Sequence, residues 1–512
     1  MVVGRVIGGS AGDKIIIRVK SNSDIDIGDI LIVENNGVKY YIKVVNTLIN
    51  SLLPNQFIED IAGQKLEHDM DLKVFDKKDR FYRICQAKIL KVMKEDGFYP
   101  ARSIPHYFSE VRRANSSEFK FLNNREGVSI GSLRLGMQVL KNVNVKLPAK
   151  ELISHHVLVS AATGKGKSNF AKVFVKGLLS IDNVSSVVID PHNEYYGAKN
   201  IKGLRDFRNK RVIYLTPKPG NYPGSEKLMI YAEDLMPGDF REVIRASGPQ
   251  SQAMDLAYRV YKNQWLKQLL VEKNISEVEQ DMKSRVQRIT IASLKRKLNH
   301  VMNFNPKTLE GLIFSLKKRS ETNLFDKIKR GVHDGKIIII DTSLVSNLVE
   351  RLIAGSIVRR LFYLYSQTKQ LNPEKFRSLP ELMILFEEAP RVLGKNVLEK
   401  GSNIFARIAR EGRKFKVGLC AITQMPSLLP QEILSQMNTK VILGLPSPSD
   451  RVAIINSSAQ DINDESIEIQ MMDQGEALIT SPFINFPLPV KIHFFDELIK
   501  NNKSSDLNIG IS

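Results

Sequence analysis

The stretch Ala161-Ala162-Thr163-Gly164-Lys165-Gly166-Lys167-Ser168 combines glycines, a lysine and a hydroxyl in the order of a phosphate loop. Glycines at such a turn let backbone N–H groups converge on an anion at a helix N-terminus. Lys167 is expected to reach the β- and γ-phosphates of ATP, and Ser168 to hold Mg²⁺ through its hydroxyl. Thr163, Gly164, Lys165, Gly166 and Asn169 complete the expected nucleotide-binding set. One position departs from the usual pattern: Ala161 stands where the first glycine is expected. Far downstream, Glu387-Glu388 supplies paired carboxylates. ATP hydrolysis needs one acid at the metal and a second to orient or activate water. Glu387 is assigned to magnesium and Glu388 to water.

Arg407, Arg410 and Arg413 surround a helix end within Ile404 to Lys414. An arginine finger stabilises the charge on a γ-phosphate in transfer and is often supplied by a neighbouring subunit. Arg413 is the first candidate, acting in trans, and Arg410 the second. Gln424 follows the apolar strand Val417 to Ile422, where a polar side chain can sense the γ-phosphate. The run Asp190-Pro191-His192-Asn193-Glu194-Tyr195 sets one histidine among acids. Nothing else in the chain completes a metal set around it, so it reads as a polar loop beside the nucleotide.

These groups need a scaffold that brings them to one edge. Val157-Leu158-Val159 precedes the phosphate loop, and Phe170, Val173, Phe174 and Leu178 follow it on one helical face. Three apolar strands end in an acid: Val187 to Asp190, Ile337 to Asp341, and Met383 to Glu387. Alternation of such strands with helices predicts a parallel sheet with crossover helices, and ligands bind beyond the carboxyl ends of its strands. All three acids are therefore expected around the nucleotide. The predicted fold is α/β: a RecA-like P-loop ATPase core with a helical insertion, preceded by a small all-β barrel. The expected divisions are a barrel over 1–95, a connector over 96–150, core over 151–235, insertion over 236–330, core over 331–496, and a tail or strap over 497–512. In the barrel, Val2 to Ile7, Lys14 to Val19, Ile30 to Val33, Val38 to Ile42 and Arg83 to Leu90 read as strands, with Asn35-Asn36-Gly37 as a hairpin turn. In the insertion, Ala257, Val260, Tyr261, Trp265 and Leu269 follow helical spacing, and the strands are expected to stop. Its bases, from Lys283 and Arg285 to Arg330, are interleaved with acids, so a solvated face competes with a DNA track.

The chain has 512 residues and a formal net charge of +20, which argues for a polyanionic partner, most simply nucleic acid. A lysine-rich solvated surface is the alternative. Its two cysteines, Cys85 and Cys420, have no metal-ligand spacing and suggest no disulfide. No apolar run approaches a membrane span, and the expectation is a soluble, cytoplasmic protein with no membrane association.

Taken together, the motifs resemble the HerA family of archaeal and bacterial hexameric DNA-translocating ATPases, relatives of FtsK. The resemblance runs through Val3-Gly4-Arg5-Val6-Ile7, Ile130-Gly131-Ser132-Leu133, the phosphate loop through Asn169, Asp190 to Tyr195, and Glu387-Glu388-Ala389. It continues through Ala409 to Lys414, Ala421 to Pro426, and Ser435 to Thr439. It implies a homohexameric ring that moves double-stranded DNA through its pore, with a NurA-like nuclease docked on the N-terminal barrel, in DNA end resection and recombinational repair. Two other readings stay open: a DNA pump of the conjugation or segregation type without a nuclease, and an ATP-dependent scaffold that binds DNA without moving along it. The chain departs from the family pattern at four places. His155-His156 replaces Arg-His, Pro390 replaces a histidine, Lys165 replaces a common serine, and Gly444 replaces an arginine.

Overall fold

The computed structural model describes residues 2–10, 14–35, 37–68, 76–95, 97–123, 126–198, 201–241, 243–282, 285–319, 322–398 and 403–509. Asn36 of the expected hairpin turn, Lys283 of the basic insertion and the last three residues of the tail lie outside the described residues.

Short β-rich segments with apolar residues at every second position form the first unit. Strands β1 (Val2–Gly9), β2 (Lys14–Val19), β3 (Ile30–Asn35), β4 (Val38–Ser51), β5 (Phe81–Lys94), β6 (Gly97–Tyr99) and β7 (Glu110–Arg113) form one antiparallel sheet. Its order is β2-β1-β7-β3-β4-β5-β6, and β2 also pairs with β5, so six strands close into a barrel with β6 outside the ring. Val6, Ile17, Leu31, Val33, Ile42, Val44, Ala87 and Val111 fill its interior. The barrel is not finished at residue 95, because β7 lies between β1 and β3. Four residues with two adjacent arginines, Glu110-Val111-Arg112-Arg113, give too short an apolar alternation to announce a strand. Strands β4 and β5 each run 14 residues, far beyond the segments expected, and the helix Asn55–His68 follows β4.

The second unit is a 12-stranded sheet. Its strands are β8 (Val128–Leu135), β9 (Gln138–Leu147), β10 (Val157–Ser160), β11 (Val184–Asp190), β12 (Val212–Thr216), β13 (Ser225–Lys227), β18 (Ile337–Asp341), β19 (Glu381–Phe386), β20 (Val417–Thr423), β21 (Thr439–Leu443), β22 (Glu476–Thr480) and β23 (Leu488–Ile492). The order is β13-β12-β18-β11-β19-β20-β10-β21-β22-β23-β8-β9. It is parallel from β13 to β21 and antiparallel beyond. Every residue of β10, β11, β18, β19, β20 and β21 is buried, as a parallel sheet covered on both faces requires. The expected connector therefore has no independent body: β7 belongs to the barrel, and the β8–β9 hairpin extends the large sheet.

The insertion is mainly helical, with Gly248–Tyr261 and Arg288–Met302 as its long helices. Strands do not stop there. Two-residue strands β15 (Phe304–Asn305), β16 (Glu310–Gly311) and β17 (Phe314–Ser315) lie within it and, with β14 (Ile230–Tyr231) just before it, form a small sheet too short for a periodicity to reveal. The helical spacing through Leu269 is broken at Lys262, whose φ is +52°, so Trp265 and Leu269 sit on later turns. Trp265 is fully buried and donates its indole N–H to the Leu235 carbonyl at 2.9 Å. The helix Leu324–His333, expected within the insertion, belongs to the core: Gly331 faces Ile213 and Ile338 of the large sheet. At the C-terminus, the expected tail is helical from Phe495 to Ile509 and starts against this chain's own core, where Ile499 is buried. Among the described residues no helix is long and apolar enough to cross a membrane.

Gly418 marks how tightly the sheet centre is built. A Cβ there would lie 2.2 Å from the Ile153 carbonyl oxygen, a backbone atom that cannot rotate away. Gly418→Ala should destabilise the fold by about 1–3 kcal/mol, read as a lower denaturant midpoint; an unchanged midpoint would mean that this approach is looser than described.

Candidate nucleotide site

The parallel register sends the carboxyl ends of β10, β11, β19 and β20 to one edge, and the phosphate loop leaves β10 there. It is fastened on both sides: the Ala161 amide donates to the Thr423 carbonyl at 3.2 Å, and the Ala162 amide to the Gly444 carbonyl at 3.1 Å. Ala161 is fully buried and has ordinary backbone angles, so nothing at that position demands glycine. Gly164 and Gly166 do, with φ of +80° and +102°. Gly166 caps the helix Lys167–Leu179 without a side-chain hydrogen bond, which leaves the first-turn N–H groups available to an anion.

Strand β20 lies between β10 and β19, so the loop and the acid pair face each other across one strand tip. The Lys167 ammonium spans that gap, 3.4 Å from Glu388 Oε1 and 3.8 Å from Glu387 Oε2. Glu387 is nearly inaccessible, whereas Glu388 is partly exposed and holds a left-handed φ of +51°, a conformation that costs energy for a non-glycine residue. Gln424 sits at the intervening tip, where its Oε1 accepts from the Thr163 hydroxyl at 2.9 Å. The Ser168 hydroxyl makes no hydrogen bond among the described residues. Ser168 and the carboxylate of Glu387 are hard oxygen donors of the kind Mg²⁺ takes, so the donor set suits that ion.

The loop after β11 supplies a holder for Glu387. Tyr195, fully buried, donates its hydroxyl to Glu387 Oε1 at 2.8 Å. Burial and the neighbouring Glu387 push the Tyr195 phenol well above its ordinary range, so it stays a donor. His192 Nε2 lies 3.8 Å from Glu387 Oε2. Asp190 shapes the loop by accepting the amides of His192, Glu194 and Tyr195. Burial pushes its carboxyl up to about 7 against the pull of those N–H groups, with Glu387 and Asp341 raising it further. Asp341 is not a ligand-facing acid. It lies beyond β11 from the acid pair, and its oxygens are taken by Tyr214, Thr216 and Ser343.

Two residues expected to bind nucleotide use their side chains elsewhere. Lys165 donates its ammonium to the Met472 carbonyl at 2.6 Å and its amide to the Ala162 carbonyl at 3.2 Å. Asn169 clamps the chain behind the loop, donating to the His493 carbonyl at 2.8 Å and accepting from the Phe495 amide at 2.9 Å. Neither contact has a sequence signal, since both partners are more than 300 residues away. Tyr195 and His192 lay in a loop already placed beside the nucleotide, but their grip on Glu387 depends on β11 and β19 being neighbours. Arg391 carried no signal; it bonds Asn347 at 3.2 Å and pairs with Glu350 at 3.6 Å, one turn past the acid pair.

Arg413 stands at the opposite end of β20 from Gln424, just before that strand begins. Arg407, Arg410 and Arg413 are exposed, the first paired with Glu411 and the second with Glu432. Arg413 has no carboxylate partner among the described residues; it lies close enough to His155 to help burial hold that imidazole below its usual range. The seven residues of β20 separate Arg413 from Gln424, roughly 20 Å at strand rise. Arg413 cannot reach the phosphate loop of its own chain. His156 is tied to β20: its Nδ1 accepts the Leu419 amide at 3.0 Å.

Comparison with known proteins adds an independent finding. Residues 128–361 match the family model described as the helicase HerA central domain. The DNA double-strand break repair helicase HerA of Pyrococcus furiosus is 26% identical, the match covering 97% of this chain and 93% of that protein. The protein of the same name from Saccharolobus solfataricus is 25% identical over the same shares. Among solved structures, the plasmid coupling protein TrwB in complex with ADP and Mg²⁺ is similar at 13% identity and a TM-score of 0.48, covering 75% of this chain and 93% of that one. That last likeness is too remote to carry weight.

Burial pushes the His156 imidazole down to about 4. Between pH 6.5 and 4 the unfolded chain binds a proton that the folded chain refuses, so stability falls as pH drops through that window. The loss amounts to roughly 3 kcal/mol. His156→Gln should flatten the pH dependence of the urea midpoint over this range; an equally steep slope would show that other groups govern it.

Proposed function

We propose that the chain is a member of the HerA family, whose central-domain model it matches over residues 128–361, and that it hydrolyses ATP with Mg²⁺ to drive movement along double-stranded DNA. The observation that carries the reading is the Lys167 ammonium within 3.4 and 3.8 Å of two carboxylates at a phosphate loop. Thr163 to Lys167 cradle and neutralise the phosphates through backbone N–H groups and the Lys167 charge. Ser168 and Glu387 hold Mg²⁺, and Tyr195 fixes the Glu387 carboxylate. Held there, the metal would offset the negative charge that develops on the phosphates. Glu388, the more exposed acid, orients the attacking water and takes its proton. Gln424 lies where it can report the γ-phosphate to the strand tip. Binding of ATP requires Lys167 to exchange part of its contact with the acids for phosphate, which frees Glu388 for water.

Arg413 acts in trans, with Arg410 as the second candidate. Its distance from its own loop, and a guanidinium with no carboxylate partner among the described residues, favour a neighbour's site, which makes hydrolysis depend on assembly. A homohexameric ring supplies such neighbours, and its pore takes the duplex. The +20 charge suits a polyanion tracked through its backbone. The relatives' names point to double-strand break repair, and end resection with a NurA-like nuclease docked on the barrel fits that setting. Division of labour along the chain, barrel for docking and sheet for hydrolysis, is part of the same proposal.

Purified wild-type protein should hydrolyse ATP, and Lys167→Ala should abolish hydrolysis. Glu388→Gln should keep ATP binding and lose turnover, since the amide preserves shape and lacks the accepting charge. Parental turnover in Glu388→Gln, with Glu387→Gln inactive, would reverse the roles of the two acids.

Mixing Arg413→Ala subunits with Lys167→Ala subunits should restore part of the ATPase activity, because some interfaces then join an intact loop to an intact arginine. Arg413→Ala alone should cost about 10³-fold or more in rate. Full activity of that variant would place the finger elsewhere.

A further inference from the structure

The phosphate loop is wired to the barrel through one short segment, and the contacts at both of its ends are directional. At the loop end, Lys165 donates its ammonium to the Met472 carbonyl at 2.6 Å, and its own carbonyl accepts the Gly475 amide at 3.1 Å. The Lys165 stem lies over Gly444, where a Cβ would come within 3.0 Å of Cε. A side chain at 444 would displace this lysine, so its path depends on the bare backbone there. The helix Ser466–Met471 ends at the Lys165 anchor, and the Leu445 amide donates to the Ile469 carbonyl at 3.2 Å, tying that helix to the strand beside the loop.

One helical turn before Met472, Glu468 is buried and grips the other side. Its Oε1 accepts from Arg134 at 2.7 Å and its Oε2 lies 2.5 Å from Lys43 of barrel strand β4. Glu465, also buried, is 3.7 Å from the same lysine. Two further barrel lysines reach this segment: Lys88 of β5 lies 2.7 Å from Asp461, and Lys14 of β2 lies 2.8 Å from Asp464. Gly28 of the barrel lets Glu468 approach, because a Cβ there would sit 3.1 Å from its Oε1. Three barrel strands thus converge on four acids within 461–468, and the same segment ends on the phosphate loop.

We propose that residues 461–475 form a strut that couples occupancy of the phosphate loop to the position of the barrel. This rests on the reading of the loop as a nucleotide site. Phosphate entering the loop bears on the turn Gly164–Gly166, and Lys165 passes that change to Met472. The Ser466–Met471 helix is too short to bend, so it shifts as a unit and moves the Glu468–Lys43 contact. Two sites coupled in this way typically alter each other severalfold, so loosening the barrel end should change nucleotide affinity on that scale.

The test measures the affinity of the full chain for Mg–ATPγS. Glu468→Gln and Lys43→Met should each weaken binding at least about fivefold, the lower end of typical site-to-site coupling. Val111→Ala, which loosens the barrel interior away from the strut, should not. In a Lys165→Met background, which keeps the stem and removes the ammonium, Glu468→Gln should have no further effect. A change under fivefold in both Glu468→Gln and Lys43→Met, or an equal effect of Glu468→Gln with and without Lys165, overturns the strut. If the barrel-end variants do not fold, hydrogen exchange on wild type decides: ATPγS should alter protection over 461–472 and over 38–45, and a change confined to the loop overturns the proposal. A wild-type chain that binds no ATPγS would instead sink the nucleotide-site reading itself.

Discussion

One lysine ammonium between two carboxylates sets what the rest of the structure must do. Lys167 comes from the start of a helix and Glu387 and Glu388 from the end of a strand, 220 residues later. They meet because β20 is the single strand between β10 and β19 and all three run in one direction. A cation held 3.4 and 3.8 Å from two acids offsets part of their charge in a partly desolvated place. The strained φ of Glu388 and the Tyr195 bond to Glu387 then follow as the means of aiming two adjacent acids in different directions. Adjacent residues on an ordinary strand also diverge, but the left-handed turn lifts Glu388 toward solvent while Glu387 stays buried.

Much of this was legible in the sequence, for definite reasons. The phosphate loop has fixed spacing because phosphate geometry is fixed, and buried parallel strands are unbroken apolar runs, so β10, β11, β18, β19 and β20 announced themselves with acids or polar residues at their ends. Asp341 shows the limit. Its sequence context equals that of Asp190, yet it lies on the far side of β11 and is consumed by Tyr214, Thr216 and Ser343. Strand order decides between them, and strand order is a long-range property. Lys165 and Asn169 show a second limit. Both occupy loop positions that suggest phosphate, but their side chains answer to partners near residues 472 and 493. The barrel's closing strand at 110–113 and the two-residue strands of the insertion were too short to have a period.

The barrel and the sheet are not strung together by a flexible linker. Barrel strand β7 ends at Arg113 and sheet strand β8 begins at Val128, but three barrel lysines and Arg134 also converge on acids at 461–468. Buried ion pairs are poor sources of net stability, because desolvation offsets most of their attraction. Their directionality suits registration of one unit on another. The four-residue reach from Glu468 to the Lys165 anchor makes that registration continuous with the phosphate loop.

The central claim is that ATP turnover at this site moves the protein along duplex DNA. The most direct measurement is displacement of a triplex-forming strand from double-stranded DNA by the wild-type protein with ATP and Mg²⁺. The account predicts ATP-dependent displacement that fails with ATPγS in place of ATP. Hydrolysis and DNA binding without any displacement would contradict it and leave an ATP-dependent DNA scaffold in its place.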